Sequence, residues 1–439
     1  MFIFDFSWEI QHFLNQFWHQ INFLLLIIFV LTGYLSYKNP AYAVGLTIIL
    51  LPTYLFRSSI LGIPITFLEI LILTTFLGWL LKSYLNGQAR SCFQSSFYWP
   101  ISIVLIAATI SVLLAPDLRQ AAGIWKAYFI EPILFFLVAT KVWRTEPGQK
   151  IILWSLGIST LTISLLGIYQ KFTGFGIFEP AWMAAEHRRV TSIFSSPNAV
   201  GLYLSPIVMI YVGWLISEIK NLKKIILKLL IILPALIAII FTVSRGTWLG
   251  LIAASIFIAF FACPPKSREA GRRWGWSKKL TALIVTIVIF ITLLIPLSRN
   301  LLLLAITFKD TSGQNRLELY SMSYNHLSGS IKDFIFGAGI GGFAQIQDQQ
   351  RQPLKLEALL YPHNIFLNFW LEIGLLGLIA FGWLKIKFFK IGFQNLKNNK
   401  WLSLGIMAAM ITIITHGLID VPYFKNDLAV LFWLLVGLV

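Results

Sequence analysis

The chain of 439 residues is 57% hydrophobic and only 12% charged, with a mean hydropathy of +0.78. A soluble domain of this size has no way to hide so much apolar surface, so composition excludes the soluble globular class and leaves a polytopic membrane protein. The formal charge of +17 does not imply a nucleic-acid partner, because the basic residues fall in short segments between apolar runs, where they read as topology signals.

In chain order, the first segment, MFIFDFSWEIQHF, carries acids where a secretory signal carries lysine or arginine, and it is not read as a cleaved leader. Phe2, Phe6, Ile10, Phe13 and Phe17 recur every three or four positions. That spacing predicts a helix over residues 1–20 lying in the membrane interface. A bilayer core of roughly 30 Å needs about 20 apolar residues per helix. Runs of this kind lie near residues 21–37, 41–56, 64–82, 97–115, 118–140, 150–171, 197–216, 225–243, 246–262, 280–297, 364–384, 401–417 and 424–439. The second is short and is expected to be broken or tilted. The expectation is an all-α polytopic membrane protein of 12 to 14 transmembrane helices, forming one domain over residues 1–439.

One alternating set of loops holds 21 of the 35 Lys and Arg residues, including Lys38, Lys82, Arg144, Lys223, Lys224 and the segment PPKSREAGRRWGWSKK. These loops are short, so the positive-inside rule places them in the cytoplasm. Cys92 and Cys263 fall in the same set, where a structural disulfide is not expected, and two distant thiols build no metal cluster. The long connections, 172–196 and 298–363, then face outward, and long connections in compact proteins tend to be functional. No internal repeat is visible, which gives transporter-type inverted repeats no support.

Polar residues in these outer parts need a reason. In EHRRVTSIFSSPNAVG, Ser196 and Pro197 mark a helix start, preceded by Arg188 and Arg189, a pair suited to lipid head groups. In FTVSRGTWLG the chain turns near Ser244, Arg245 and Gly246, because residues 225–262 as one helix are too long for one crossing. Arg245 there is an interfacial anchor or an anion ligand, since guanidinium matches phosphate oxygens in a fork. Arg316 lies in the long outer connection ahead of FGAGIGGF, whose glycines read as a flexible turn because no strand or P-loop lysine accompanies them. In YPHNIFLNFWLEIGLLG, Pro362 suits a first helical turn and puts His363 at the mouth of a span. The positive helix end there favours a neutral ring able to accept a proton. Asn364, Asn368 and Glu372 follow at spacings of four and share a face. Two readings stay open for that stripe: hydrogen bonding between helices, with Gly374 and Gly377 as close-packing positions, or a functional site. His416 and Asp420 stand four apart and pair if no break intervenes at Gly417.

Together these residues resemble the O-antigen ligase family, membrane glycosyltransferases that include O-antigen ligases, polysaccharide polymerases and protein O-oligosaccharyltransferases. The resemblance rests on His363-Asn364 followed, after nine intervening residues, by Gly374-x-x-Gly377, on Ser244-Arg245-Gly246, on Arg316 upstream of GAGIGGF, and on RRVTSIFSSPNAVG; it covers residues 119–439. It implies a fold similar to metal-independent, GT-C-like, lipid-linked glycosyltransferases in a bacterial inner membrane, with the active site on the periplasmic or outer face. It implies as donor a glycan on undecaprenyl pyrophosphate, as acceptor a sugar hydroxyl on a glycolipid or glycan, or a protein side chain, and no cofactor. On that resemblance Arg245 and Arg316 bind the pyrophosphate, with Arg189 as a further donor ligand. His363 is the base, Asn364 orients its ring, and Glu372 and Asp420 are supporting residues. Ligation and polymerisation use the same donor chemistry and both stay open; a lipid-linked oligosaccharide transporter is the alternative from another class.

Overall fold

The computed structural model describes residues 18–60, 63–88, 93–262, 310–354 and 359–439. The expected interfacial helix over 1–20 lies almost wholly outside the described residues, as do the span 280–297, the loop PPKSREAGRRWGWSKK, Cys92 and Cys263.

The described residues are helical nearly throughout. The helices are α1 (Trp18–Lys38), α2 (Pro40–Ile49), α3 (Phe67–Leu85), α4 (Tyr98–Leu113), α5 (Leu118–Trp143), α6 (Glu146–Thr173), α7 (Pro197–Ser217), α8 (Leu222–Thr242) and α9 (Arg245–Ala262). Then come α10 (Thr311–Gly329), α11 (Ile331–Phe336), α12 (Gly342–Leu354), α13 (Ile365–Asn395), α14 (Lys400–His416) and α15 (Asn426–Gly437). Six of these, α3, α5, α6, α7, α8 and α13, are long and apolar enough to cross a membrane, and six shorter apolar helices accompany them among the described residues. They fall on twelve of the thirteen apolar runs read from the sequence. The second run is broken, as expected: α2 stops at Ile49 and a 3₁₀ turn, Leu51–Leu55, follows.

One short element departs from an all-helical reading. Residues Arg57–Ile60 (β1) and Ile63–Thr66 (β2) pair antiparallel with Arg57 opposite Thr66. The pair is too short to carry a periodicity signal. Thr66 ends β2 and also begins α3, its hydroxyl accepting from Glu69 N while the Glu69 carboxylate accepts from Thr66 N, a complete capping box.

The centre of the bundle is α7, which is buried along nearly its whole length. It packs closely on α14: a Cβ on Gly213 would fall 2.4 Å from the Trp401 carbonyl and 2.7 Å from Gly405 Cα. Without a hydrophobic drive between helices in lipid, such small-residue contacts supply the association. The basic connections gather at one end of this bundle, where Lys82 Nζ donates to the Lys38 carbonyl (2.8 Å) and Lys228 pairs with Glu218.

The described part of the long connection 298–363 is helical rather than a loop: α10 and α12 form a small apolar cluster with α13 around Leu319, Met322, Leu327, Phe343 and Leu371. Its glycines are not a flexible turn. Gly337, Gly339 and Gly341 all take positive φ, and a Cβ on Gly337 would meet the Leu371 carbonyl at 2.3 Å. The segment is packed tightly against α13, with Ala338 N donating to Leu371 O (2.8 Å) and Trp370 Nε1 to Phe334 O (2.7 Å).

Helix α13 corrects the expected span 364–384. Ile373 (φ −130°) and Gly374 (φ 71°, ψ 178°) are non-helical. The Phe369 and Phe381 rings stack with centroids 3.8 Å apart, and Lys385 Nζ lies 4.0 Å over the Phe366 ring. In one straight helix Phe369 and Phe381 would be separated by about 18 Å. The chain therefore doubles back at 373–374: residues 365–372 form a two-turn half-helix folded against the crossing segment, 375–395. Only Gly reaches this backbone conformation readily.

Candidate active site

At the end of the bundle opposite the basic connections, the half-helix, the α14–α15 connection, the start of α7 and the α8–α9 turn meet. Asp420, in the α14–α15 connection, is the hub. Its Oδ1 lies 3.2 Å from His363 Nδ1 and accepts from Val421 N (2.8 Å), while its Oδ2 accepts from Asn198 Nδ2 (3.2 Å) and lies 4.0 Å from His416 Nε2. Burial alone would raise the Asp420 carboxyl. The His363 hydrogen bond, the imidazoles of His363 and His416, and the Val421 N–H outweigh burial and hold it far below the usual carboxylate range.

His363 itself has φ 53°, in the left-handed region. Its carbonyl accepts from the Tyr320 hydroxyl (3.1 Å), which also donates to Leu418 O (2.9 Å). Burial pushes the Tyr320 hydroxyl up to about 12, so it stays a donor. The helix behind His363 begins later than Pro362 suggests. Asn364 is the N-cap, its Oδ1 accepting from Phe366 N and Leu367 N while Nδ2 donates to Leu418 O (3.1 Å). Asn364 thus does not orient the ring as expected; Asp420 holds it, and Asn364 fixes the backbone beside it. The imidazole is partly exposed, at 27%.

The arginines reach the same hub through short connections. Arg189 donates Nε–H to Thr242 O (2.8 Å) and reaches Asn198 Oδ1 (3.4 Å), whose amide nitrogen holds Asp420. Arg188 points elsewhere and ties its own segment to α6 through Met183 O and Lys171 O. Arg245 opens α9 after Val243 reverses the chain at φ 52°. Its neighbour Gly246 packs on the His416 ring, where a Cβ would fall 2.2 Å away. Arg316 donates Nε–H to Ile419 O (3.0 Å), one residue from Asp420. Burial, and then the like charge of Arg245, hold Arg189 down to about 10. Two guanidinium groups are therefore crowded within electrostatic reach of one another, an arrangement that favours an anion between them. The Asp310 carboxylate supplies one charge of that sign, 2.7 Å from Arg245 Nη2. That hydrogen bond lowers the Asp310 carboxyl below its ordinary value.

The structure thus brings His363, Arg189, Arg245, Arg316 and Asp420 to one place. It sets Glu372 apart. Glu372 and Asn368 are both completely buried, so the polar stripe faces packed protein rather than an open cavity. Glu372 Oε2 accepts from Gly341 N (2.8 Å), and its carbonyl accepts from Ser111 Oγ, so this carboxylate secures the glycine turn. The His416–Asp420 pair forms only loosely, because α14 ends at His416 and Gly417 breaks the helical spacing. Three contributors escaped sequence reading. Asn198 stands directly after the Ser196-Pro197 helix start, Asp310 precedes α10 at its N-cap position, and Tyr320 follows Arg316 by four residues on the same helical face. Only the last carries a spacing signal.

No curated protein matches the chain. Residues 229–382 match the family model described as O-Antigen ligase, Wzy_C. That stretch contains Arg245, Arg316, His363, Asn364 and Glu372, and leaves Arg189 and Asp420 outside it. The match, with the histidine signature inside it, makes this stretch similar to the O-antigen ligase family, and the apolar helical bundle around it is that of a multi-pass membrane protein.

Proposed function

We propose that this protein transfers a glycan from undecaprenyl pyrophosphate to an acceptor hydroxyl at the extracytoplasmic face of the inner membrane, as an O-antigen ligase does, without a metal. The observation that carries the reading is the His363–Asp420 pair enclosed by arginines from three separate elements. With Nδ1 facing the Asp420 carboxylate, the ring holds its proton on Nδ1 and turns Nε2 into a base. The acceptor oxygen attacks the anomeric carbon, its proton passes to His363 Nε2, and the bond from that carbon to the phosphate oxygen breaks with its electron pair leaving on pyrophosphate. Guanidinium groups already fixed by carbonyls stabilise that developing charge without reorganising. Arg245 joins them as Asp310 gives way to the incoming phosphate. The extracytoplasmic assignment rests on the basic connections lying at the opposite end of the bundle.

The test is reconstitution in nanodiscs with undecaprenyl-pyrophosphate glycan and acceptor, in excess chelator, following new glycosidic product and released lipid pyrophosphate. His363→Ala is expected to lower kcat by about 10² to 10⁴ while donor binding persists. Arg245→Ala and Arg316→Ala are expected to weaken donor binding. Full turnover in His363→Ala, or intact donor binding in both arginine variants, overturns the assignment.

A further inference from the structure

A second cluster of polar side chains adjoins the His363–Asp420 pair and takes no part in holding the anion. Asp427, the second residue of α15, is completely buried; its carboxylate faces the main-chain N–H groups of Asp427 and Leu428 at its own helix start, and neither oxygen makes a well-aligned hydrogen bond among the described residues. Tyr54, on the turn Leu51–Leu55, is 4% exposed, and its hydroxyl also lacks a partner there. Asp427, Tyr128 and Arg57 lie within electrostatic reach of the Tyr54 hydroxyl. The Tyr128 and Tyr361 side chains hydrogen-bond to each other, and their rings lie 6.2 and 5.6 Å from the Phe424 ring. Lys425 Nζ sits 5.3 Å from the Tyr54 ring and 4.8 Å from that of Phe194. Tyr361 is two residues from His363, and Lys425 five from Asp420. Arg57 is exposed and Tyr128, Tyr361 and Lys425 are partly so, so the cluster has an open side.

A buried carboxylate or hydroxyl without a hydrogen bond is costly, and in a native protein it marks a place for water or a ligand. Tyr128 is presented by a π turn, Lys126–Ile130, interrupting α5, a local irregularity frequent at functional sites. An ionised carboxylate only accepts hydrogen bonds, which suits a ligand rich in hydroxyl donors. The tyrosine rings offer flat apolar faces, and Lys425 and Arg57 supply donors for ligand oxygens. The same carboxylate repels pyrophosphate, so the cluster is no extension of the donor site. A helix-terminal role explains the Asp427 charge but leaves the Tyr54 hydroxyl unaccounted for.

We infer that Tyr54, Tyr128, Tyr361, Lys425 and Asp427 form a carbohydrate subsite that receives the acceptor beside His363, an assignment that rests on the transferase reading. The acceptor's hydroxyls donate to Asp427 and its ring lies against the tyrosines. Asp427→Asn and Tyr54→Phe occupy different elements and share only this cluster. In nanodiscs, with acceptor and donor varied separately, Asp427→Asn is expected to raise acceptor KM by about tenfold or more and Tyr54→Phe by about threefold. Donor KM is expected to stay within about twofold in both. If Asp427→Asn does not fold, Tyr54→Phe alone decides. An unchanged acceptor KM in Tyr54→Phe, or equal rises in both KM values, overturns the inference. Binding is read without turnover by saturation-transfer NMR, using short oligosaccharides from the deacylated surface polysaccharide of the producing cell. Signals present in the parent and in His363→Ala, and lost in both subsite variants, support the subsite even if transfer fails. Transfer without any such binding overturns the subsite and leaves the transferase standing.

Discussion

Replacing Gly374 by alanine tests the chain reversal on which the position of His363 depends. Gly374 holds φ 71° and ψ 178°, a region essentially reserved for glycine and costing a side chain about 1 to 3 kcal/mol. The new Cβ would also lie 2.6 Å from the Ile335 carbonyl and 3.1 Å from the Phe336 backbone. Backbone cannot swing aside as a side-chain tip does, so α11 must retreat. Its retreat stretches Ala338 N to Leu371 O and Trp370 Nε1 to Phe334 O, each worth about 1 kcal/mol net. The sum is on the order of 3 to 5 kcal/mol. Gly377→Ala is the control, because its Cβ meets the Ile373 side chain, which can move. Thermal unfolding in nanodiscs, followed by tryptophan fluorescence, is expected to show a much larger loss for Gly374→Ala than for Gly377→Ala, with transfer falling alongside. Equal stability of the two variants would refute the reversal.

Two further outcomes follow from the same geometry. Asp420→Asn keeps the shape but removes the charge that fixes the His363 tautomer; kcat is expected to fall by about 10² to 10⁴ with donor KM preserved, measured by steady-state transfer, and a loss under about tenfold would release Asp420 from that role. Because its folded carboxyl is depressed, the stability Asp420 contributes is complete above the ordinary value of about 3.9 and is lost only as pH falls through the lower folded value, so unfolding scans should show no Asp420-dependent change between pH 5 and 8. Asp310→Asn removes the anion now lying on Arg245, and donor KM is expected to fall by about three- to tenfold; a rise would mean that Asp310 aligns the arginine rather than competing for it.

The apolar runs were legible because span length and hydropathy are local quantities, and they located twelve of the described helices, though not the ends of α2 and α13. His363 and Arg245 stand out in the sequence because a charged or titratable group at a membrane boundary needs a reason, and Arg316 stands out only through the family resemblance. The reversal within α13 was not. Residues 365–372 are as apolar as a span, and nothing local distinguishes the Gly374 that breaks the chain from the Gly377 that merely packs; the difference comes from α11, about 40 residues upstream, pressing its backbone against 373–374. Asn364 was misplaced for a related reason. A cap and a ring-orienting amide have the same sequence, and only the hydrogen bonds to Phe366 N and Leu367 N separate them. Asp420 looked like a partner for His416 because spacing within one helix is visible, whereas its shorter contact, to His363, crosses 57 residues.

The arginines show how charge is fixed in place at this end of the bundle. Arg189 and Arg316 each spend Nε–H on a main-chain carbonyl, Thr242 and Ile419, and those carbonyls belong to the turns that close α8 and follow α14. A guanidinium fixed this way cannot fold away to find a carboxylate, so its charge is carried at a set position at the rim of the bundle. Arg189 and Arg245 then repel one another, and Asp420, whose two oxygens already serve His363 and Asn198, does little to relieve it. The pyrophosphate of the proposed donor, esterified at both ends, carries one charge on each phosphate and so, unlike Asp310, would bring two charges to relieve the repulsion. An anion held between Arg189 and Arg245 would lie beside the one partly exposed imidazole held by a carboxylate among the described residues.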